Sequence, residues 1–277
     1  MSDKNKNTIK SIIFAEGITE VGFLKFSQAD IINERPFALQ KEIKTIIVFL
    51  LPYRTNFIIK DSFSMSLYAR IYDYHKRYNE LFDSIIKKLN SEFPQNQFVG
   101  AADSSPINEK TSAAKCGLGI IGCNSLLINK KYGSFVFIGS IFTDMEILCK
   151  DNPMPESCIK CKKCIKLCPN NAITENGIDY QKCLSYLSQK KQRTEDDFEL
   201  LKKNNVIWGC DICQNVCPMN QDKEFTNDPY FKNSVISEIS LEFLESMTDE
   251  EFKKYPFSWR KKDVIINNVK NCIKKID

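Results

Sequence analysis

Cysteines are the residues of this sequence whose type and spacing could do chemistry, and there are twelve of them. The first run is Cys158-Ile-Lys-Cys161-Lys-Lys-Cys164-Ile-Lys-Leu-Cys168-Pro169. Bacterial ferredoxins bind iron with this spacing: three thiolates bind one 4Fe-4S cluster, and the fourth, which precedes a proline, ligates a neighbouring cluster. The run therefore predicts a ferredoxin-type site with more than one cluster.

A second run, Cys210-Asp-Ile-Cys213-Gln-Asn-Val-Cys217, is again followed by proline and repeats the later part of the pattern. Its leading cysteine is missing, because the expected position holds Ile207. Cys183 lies between the runs and brings the number of ligands to eight. The cross-ligation of two-cluster ferredoxins then divides these ligands into two sets of four. The first thiolate set is Cys158, Cys161, Cys164 and Cys217, and the second thiolate set is Cys168, Cys183, Cys210 and Cys213.

Paired Cys-x-x-Cys units also make tetrahedral zinc sites, which is the main alternative interpretation of these runs. The two Cys-x-x-x-Cys-Pro endings favour cluster cross-ligation, because they have no role in a zinc ribbon. A disulfide framework is disfavoured in a chain without a secretion signal. We expect the remaining cysteines to be small buried hydrophobes. They are Cys116, Cys123, Cys149 and Cys272.

Two other features suggest a function with less support. Gly117-Leu-Gly119-Ile-Ile-Gly122 matches the dinucleotide-binding pattern G-x-G-x-x-G. The segment follows a predicted helix, however, and not the strand that would place a pyrophosphate on a helix N-terminus. His75 is the only histidine, and a lone histidine in a helix is usually structural.

The bulk composition, 43% hydrophobic and 27% charged, is typical of a globular protein. No apolar run approaches the roughly 20 residues that cross a bilayer. The N-terminal apolar stretch is interrupted at 15–17 and does not read as a secretion signal, so we expect a cytoplasmic protein without a membrane partner. The net charge of +4 neither requires nor excludes a polyanionic partner. Lysine clusters at 160–166 and 190–191 could contact RNA phosphates or an acidic electron donor, or could form an ordinary solvated surface.

Periodicity and turn residues predict alternating strands and helices in the first half of the chain. The predicted elements are a buried strand at 43–51, a helix at 68–93, a strand at 98–102, a helix at 108–115, and strands at 125–129 and 134–142. The following residues are rich in cysteine and proline and predict short helices, and the last stretch, at 238–275, is charged and predicted to be helical. We therefore predict an α+β fold in three parts. These are an α/β cofactor and substrate domain at 1–148, a ferredoxin-like two-cluster iron-sulfur domain at 149–225, and a helical C-terminal segment at 226–277.

Segments outside the cysteine runs complete a recognisable pattern. They are Tyr68-Ala-Arg70-Ile-Tyr-Asp73-Tyr74-His75, Asp103-Ser-Ser-Pro106, Gly117-Leu-Gly-Ile-Ile-Gly122-Cys-Asn124-Ser-Leu-Leu-Ile, Gly133-Ser134, Lys182-Cys183-Leu-Ser-Tyr-Leu and Trp208-Gly-Cys-Asp-Ile-Cys. The first is similar to R-Y-A-x-G-R-D-Y-H of the epoxyqueuosine reductases. With these segments and both cysteine runs, the chain resembles that family of cobalamin-dependent iron-sulfur enzymes of tRNA modification, which are related in architecture to reductive dehalogenases.

The resemblance implies that residues 1–148 form a cobalamin-binding-type, reductive-dehalogenase-like domain. It also implies that Asp103 is the catalytic proton donor above a cobalamin whose cobalt is reduced by two 4Fe-4S clusters. The residues that it places at the cofactor are Arg70, Asn124, Gly133 and Ser134. Reducing an epoxide to an alkene and water consumes two electrons and two protons, so an electron relay, a reducing cobalt centre and an acid are complementary parts. Without the resemblance, Asp103 before Ser-Ser-Pro is typical of a turn or helix cap.

The chain also departs from the family pattern. Cys123 stands where the family usually has lysine, and Cys116 stands where it usually has alanine. The stretch 29–44 is shorter than in full-length reductases. The chain ends near Val269, about where many members begin a helical-repeat domain that embraces tRNA. The resemblance is therefore to a short form of the family.

These observations predict a cytoplasmic oxidoreductase of queuosine biosynthesis that reduces epoxyqueuosine to queuosine in tRNA, or a short paralogue with another substrate. Its expected cofactors are two 4Fe-4S clusters and cobalamin. Its expected partners are tRNA and a low-potential electron donor such as ferredoxin or flavodoxin. Two alternatives remain open: an electron-transfer iron-sulfur protein without corrinoid, and a dehalogenase-like reductase of small molecules.

Overall fold

The computed structural model describes residues 3–33, 42–149 and 157–273. In chain order the helices are α1 (Asp3–Phe14), α2 (Tyr74–Glu92), α3 (Glu109–Lys115), α4 (Lys163–Lys166), α5 (Leu184–Gln189), α6 (Glu195–Lys203), α7 (Ile212–Asn215), α8 (Pro229–Lys232), α9 (Leu241–Ser246), α10 (Asp249–Phe252) and α11 (Lys262–Ile273). The strands are β1 (Glu20–Lys25), β2 (Thr45–Pro52), β3 (Ser64–Met65), β4 (Phe98–Ala102), β5 (Ile120–Ile121), β6 (Leu127–Ile128), β7 (Val136–Thr143), β8 (Ile173–Thr174), β9 (Gly177–Ile178) and β10 (Val206–Trp208). Short 3-10 turns lie at Phe26–Gln28, Leu67–Arg70, Tyr180–Lys182, Pro218–Asn220 and Pro256–Trp259.

The contacts divide the chain into two compact units, each made of several stretches. Unit 1 is Met1–Pro52, Tyr74–Gly122 and Leu126–Ile159, and unit 2 is Tyr53–Asp73, Cys123–Ser125 and Lys160–Asp277. This division differs from the predicted ranges 1–148, 149–225 and 226–277. The C-terminal helices and the stretch 53–73 share one core with the strand that precedes the second cysteine run. The three ranges stay a prediction about which part of the chain does what.

Unit 1 is built on a four-stranded antiparallel sheet in the order β1-β2-β7-β4. Strand β2 lies along β7 from Thr45 opposite Thr143 to Pro52 opposite Val136. Seven of its eight residues are buried, which agrees with the continuous apolar sequence that predicts a strand covered on both faces. Helices α1 and α2 pack against each other, and α2 also packs on β4, whereas α3 packs on β1, β2 and β7.

Aromatic side chains and glycines fit α2 onto the sheet. The ring of Phe49 in β2 contacts those of Tyr78 and Phe82 in α2, with centroids 5.8 and 6.0 Å apart. A Cβ atom at Gly139 would lie 2.4 Å from Cε1 of Tyr78, and one at Gly100 would lie 2.4 Å from Cγ of Phe82. Both glycines are therefore required by the close approach of the helix.

The glycine-rich segment after α3 has a structural explanation. Gly117 has a positive φ of 75°, and its N–H and that of the next residue donate to carbonyls of the last turn of α3 at 2.9 and 3.0 Å. This is the Schellman end of a helix, which favours glycine. A Cβ atom at Gly119 would lie only 2.7 Å from the carbonyl oxygen of Ile128 in the adjoining β-hairpin. The spacing of these glycines is thus explained by a helix end and a hairpin. This agrees with the prediction that the segment, which follows a helix and not a strand, is no dinucleotide-binding motif.

The predicted helix at 68–93 begins later than expected. Residues Leu67–Arg70 form a 3-10 turn, Ile71 is extended with φ −121° and ψ 168°, and α2 starts at Tyr74. The N–H of Leu67 donates to Oδ2 of Asp211 at 2.7 Å, so a contact distant in sequence overrides the local helical pattern.

Unit 2 has its main core around the fully buried Trp208. Strand β10, which carries this residue, pairs in parallel with β3, and α11 packs on β10. The core draws residues from both ends of the unit, with Met65 and Ala69 on one side of the sequence and Ile265 and Val269 on the other. The predicted α+β class is confirmed. None of the described helices has both the length and the apolar character that crossing a bilayer requires.

Candidate functional site

The backbone of the first cysteine run is tightly curved. Lys160 and Lys162 have positive φ values of 49° and 60°, which are uncommon for residues with a side chain. Such conformations cost roughly 1–2 kcal/mol each and persist only where the surrounding structure imposes them. Here they turn the chain between Cys158 and Cys164, as a loop that wraps three corners of a cluster must turn.

The second thiolate set is gathered within unit 2. Burial, together with the neighbouring thiolates of Cys183 and Cys168, raises the pKa of Cys210. Burial with Cys210 and Cys183 likewise raises the pKa of Cys213. The structure thus places Cys183 beside the cysteines with which the spacing groups it.

Hydrogen bonds point at three of these sulfurs. The amide of Ala172 donates to Sγ of Cys168 at 3.3 Å, and the amide of Ile212 donates to Sγ of Cys210. The side chain of Asn124 hydrogen-bonds Cys213. Amide donors around sulfur stabilise thiolate ligands and help to set the reduction potential of an iron-sulfur cluster.

The chemistry of this donor set fits a metal cluster. The pKa of each of the Cys210 and Cys213 thiols is raised to about 12, so without a cation both would stay protonated at neutral pH. A bound metal ion deprotonates a coordinating thiol outright. In the described part of the chain, no three His, Cys, Asp or Glu side chains are close enough to share one metal ion.

The cysteines of the first thiolate set do not all belong to one unit. Cys158 belongs to the last stretch of unit 1, and the other three belong to unit 2. Helix α4, which carries Cys164, packs against α7, which is followed by Cys217. This packing brings the two cysteine runs together, as cross-ligation requires.

The remaining four cysteines differ in their surroundings. Cys116 is buried in the core between α3 and the sheet, where burial raises its pKa to about 12. Cys272 is partly buried against the main core of unit 2. Cys123 and Cys149 are also partly buried. Cys116 fits the expectation of a small buried hydrophobe most closely.

Asp103 lies just after β4, at an exposed position of unit 1. Its backbone has a positive φ of 63°, and 58% of its side chain is accessible to solvent. His75, in the first turn of α2, places Nε2 3.3 Å from Oδ2 of Asp103. Stacking with Tyr74, at 4.1 Å between ring centroids, fixes the imidazole ring. A carboxylate and an imidazole thus meet at a site that solvent or substrate can reach.

A second carboxyl group adjoins this pair. The amide of Asp103 donates to Oε1 of Glu109 at 2.9 Å. The hydrogen bond from His75 holds the pKa of Asp103 below its ordinary value. Burial, with the negative charge of Asp103, raises the pKa of Glu109 to about 8. At neutral pH the two carboxyl groups are therefore in different states, with Asp103 ionised and Glu109 protonated.

One end of the sheet beside Asp103 is incompletely covered. The first three residues of the central strand β7 are only partly buried, as are the last four of β4, whereas the rest of β7 is buried. Phe137 of β7 stacks on Tyr74, which stacks on His75, with centroids 4.2 and 4.1 Å apart. The result is a row of aromatic rings that leads to the carboxylate.

The predicted cofactor residues lie in different settings. Arg70 is fully buried and donates from both terminal nitrogens to Asp61 at 2.9 Å, which is the geometry of a structural ion pair. Asn124 is buried beside Cys213. Ser134 is buried, and Gly133, with a positive φ of 63°, forms a bridge of two backbone hydrogen bonds with Asn129. Sequence reasoning missed Glu109, which looks like an ordinary acidic residue in the first turn of a helix.

Comparisons with known proteins agree with this arrangement. Residues 157–220, which include all eight predicted ligands, match the family of 4Fe-4S double cluster binding domains. An epoxyqueuosine reductase of Aliivibrio fischeri is 38% identical over 193 residues, which are 69% of this chain and 52% of that protein. One of Cellulophaga algicola is 32% identical over 223 residues, which are 79% of this chain and 72% of that protein. The chain thus spans about half the length of the first relative and more of the second.

Solved structures share the fold. One is an epoxyqueuosine reductase with an epoxyqueuosine-modified tRNA-Tyr stem loop, which superposes with a TM-score of 0.81 at 23% identity, over 98% of this chain and 81% of that one. A catabolic reductive dehalogenase superposes with a TM-score of 0.57 at 18% identity, over 79% of this chain and 32% of that one. The predicted reductive-dehalogenase-like architecture with a two-cluster iron-sulfur domain is confirmed. With relatives of this identity and coverage, the chain belongs to the epoxyqueuosine reductase family.

Proposed function

We propose that this chain is a cobalamin-dependent iron-sulfur reductase that converts epoxyqueuosine to queuosine in tRNA. Two features of this family member carry the proposal together. Four thiols are gathered where they could bind a cluster, and an exposed carboxylate is hydrogen-bonded to a histidine. The thiols would hold a cluster that carries electrons, and the carboxylate would supply protons. A reductive removal of oxygen requires both.

The reaction balances with these parts. Two electrons and two protons remove the epoxide oxygen as water and leave a carbon-carbon double bond. The two thiolate sets would hold the clusters, which would supply electrons one at a time from a low-potential donor such as ferredoxin or flavodoxin. Asp103 would protonate the departing oxygen, since it is the exposed acid of the site.

The surroundings of Asp103 fit a large flat cofactor. The uncovered end of β7 and β4 and the aromatic row through Phe137 offer an apolar face next to a carboxylate. Gly133 and Ser134 are the proposed contacts to the corrin, while Arg70 and Asn124 would act by holding the neighbouring backbone and thiolate in place. When bound, cobalamin supplies a strongly reducing cobalt centre.

His75 has a defined part in this proposal. The hydrogen bond from its Nε2 lowers the pKa of Asp103 and so keeps that carboxylate ionised between turnovers. The His75–Asp103 hydrogen bond therefore keeps one proton at the point where the oxygen departs. Because neither side chain is deeply buried, the pair can also exchange that proton with water.

The proposed macromolecular partner is tRNA. Lys160, Lys163 and Lys166 are exposed beside the first cysteine run, where they could neutralise RNA phosphates or attract an acidic electron donor. These partners would place the protein in the cytoplasm. In functional terms we assign substrate and corrinoid to 1–148, the clusters to 149–225, and support to the helical segment 226–277.

Anaerobic reconstitution tests the proposal. The protein is loaded with iron, sulfide and cobalamin, reduced with a low-potential donor, and incubated with tRNA that contains epoxyqueuosine. We expect about eight iron atoms per chain, as two 4Fe-4S clusters require. Mass spectrometry of the nucleosides should show queuosine in place of its epoxide. Asp103→Asn should retain iron and lose this conversion.

Three results would contradict the proposal in different ways. Full iron content without corrinoid binding, together with reduction of simple acceptors, would indicate an electron-transfer protein. Corrinoid binding without conversion of tRNA, but with reduction of halogenated aromatics, would indicate a small-molecule reductase. Tetrahedral zinc in the protein as isolated, with no iron uptake, would remove the redox role altogether.

A further inference from the structure

Glu109 lies against the proposed proton donor. It is the first residue of α3, and its Oε1 accepts the amide hydrogen of Asp103 at 2.9 Å. That amide belongs to a residue with a φ of 63°, a conformation that costs a non-glycine residue roughly 1–2 kcal/mol. The hydrogen bond from the amide therefore helps to hold Asp103 in its strained backbone position.

The groups that face Glu109 explain why it holds a proton. Burial is the larger cause and the negative charge of Asp103 adds to it, so the pKa of Glu109 is raised to about 8. His75 of α2 opposes the shift. Tyr78 of the same helix is fully buried, and that burial, more than the neighbouring Glu109, raises its pKa. On α3, burial lowers the pKa of Lys110, so this neighbour does little to favour the Glu109 anion. Two adjacent carboxyl groups with divergent pKa values are typical of an acid-base site.

We propose that Glu109 positions Asp103 and supplies the second proton of the reduction. The inference rests on the proposed function. The first proton comes from the His75–Asp103 pair. Asp103 gives this proton to the departing oxygen, which leaves as hydroxide. The Glu109 acid then releases its own proton, which passes through Asp103 to the hydroxide and completes a water molecule. Glu109 is left as a carboxylate and regains a proton from solvent. No electrons pass through these groups.

Two substitutions separate positioning from proton supply. Glu109→Gln keeps an oxygen that can accept from the Asp103 amide but cannot give up a proton. Glu109→Ala removes both abilities. The matched control is Glu80→Gln, which changes an exposed carboxylate of α2 that forms an ion pair with Arg77 on the same helix. All variants are made in the full chain and are loaded with iron and cobalamin.

Infrared titration without substrate gives the first readout. The carbonyl band of a protonated carboxylic acid should persist at neutral pH and disappear as the pH rises through about 8. Glu109→Gln should lose this band, and Glu80→Gln should keep it. If the wild-type protein has no such band above pH 6, Glu109 holds no proton and the inference is overturned.

Single-turnover rates of epoxide loss give the second readout. The wild-type rate should fall as the pH rises through about 8, because Glu109 is then ionised. Glu109→Gln should be about tenfold slower at pH 7, with that fall absent, which is less than the 10²–10⁴-fold effect of a direct general acid. Glu109→Ala should be slower still, and Glu109→Asp should restore part of the pH dependence.

The two proposals can fail separately. If no variant reduces the epoxide but the infrared band titrates as described, the proposed function is wrong, while the acid state of Glu109 stands. If the wild-type protein reduces the epoxide and Glu109→Gln has the same rate and pH profile, proton supply by Glu109 is wrong, while the proposed function stands.

Discussion

The Nε2 atom of His75 lies 3.3 Å from Oδ2 of Asp103, although 28 residues separate them in sequence. The single histidine of the chain is therefore hydrogen-bonded to an exposed acid, and is more than a structural residue of α2. This pair makes the protonation of Asp103 depend on His75, which leads to the first prediction.

Replacing His75 with glutamine should raise the pKa of Asp103 towards its ordinary value. The hydrogen bond from His75 is the largest cause of the lowered pKa and the charge of His75 adds to it, so a glutamine, whose amide can donate but carries no charge, should remove part of the shift. The titration of the Asp103 carboxyl carbon, followed by NMR, measures the change. Because the folded-state pKa is below the unfolded value, the pair stabilises the fold above pH of about 4 and loses that effect as the pH falls. An unchanged titration in His75→Gln would show that the contact has no electrostatic effect.

Asp103→Asn should slow the reduction of the epoxide by about 10²–10⁴-fold, because asparagine cannot protonate the leaving oxygen. Iron content and unfolding temperature should change little, since the side chain is more than half exposed. Asp30→Asn is a suitable control, as Asp30 forms an exposed ion pair with Lys115. A fully active Asp103→Asn variant would rule out this residue as the acid.

Cys183→Ser should lose about four of about eight iron atoms, because only the second thiolate set depends on this residue. The first cluster should remain visible in the EPR spectrum of the reduced protein. Cys272→Ser, which changes a cysteine packed on the main core of unit 2, should keep all the iron. Retention of all iron by Cys183→Ser would mean that another residue supplies the eighth ligand.

Arg70→Met should destabilise the protein by about 3–5 kcal/mol, as expected when one partner of a buried ion pair is removed. Arg70 is fully buried and the side chain of Asp61 is only 6% exposed. Urea unfolding measures the change, and Lys115→Met, at an exposed pair, should cost less than about 1 kcal/mol. A loss of similar size in both variants would contradict a special role for the buried pair.

The same pair should give stability a pH dependence. Burial acts to raise the pKa of Asp61, but hydrogen bonds from Arg70 and from the amide of Ile239 outweigh it, so the net pKa is lowered. This contribution is complete above the unfolded pKa of about 3.9 and is lost as the pH falls through the folded value. The difference in unfolding free energy between wild type and Asp61→Asn should therefore shrink on acidification.

The sequence predicts elements well where the pattern is local. The apolar run at 43–51 gives the buried strand β2, and the helix predicted at 108–115 is observed at Glu109–Lys115. The helix predicted from residue 68 starts at Tyr74, because Asp211 and Asp61 hold the preceding residues in another conformation. Asp211 is 144 residues from Leu67, and Asp61 lies before the predicted helix, so helical periodicity could reveal neither contact.

In the candidate site, too, local sequence patterns predict some features, whereas contacts made through the fold are not predicted. The spacing of the two cysteine runs predicts seven of the ligands, and Cys183 is added because it lies between the runs and completes a set of eight, which stays a prediction. The contact between Glu109 and the Asp103 amide depends on the turn after β4, in which Asp103 has a positive φ. This turn contains no glycine from which the sequence could predict it. Acid-base partners that meet through such a turn need coordinates to be found.

The order of strands in unit 1 has a consequence for synthesis on the ribosome. Strand β7 is the last of the four strands to be made, yet it is the partner of both β2 and β4. Until Thr143 has left the exit tunnel, β4 has no neighbour in this sheet and the apolar β2 has one open edge. Open edges of this kind invite pairing with other chains. A nascent chain that stalls before this point should therefore depend on chaperones until the last strand arrives.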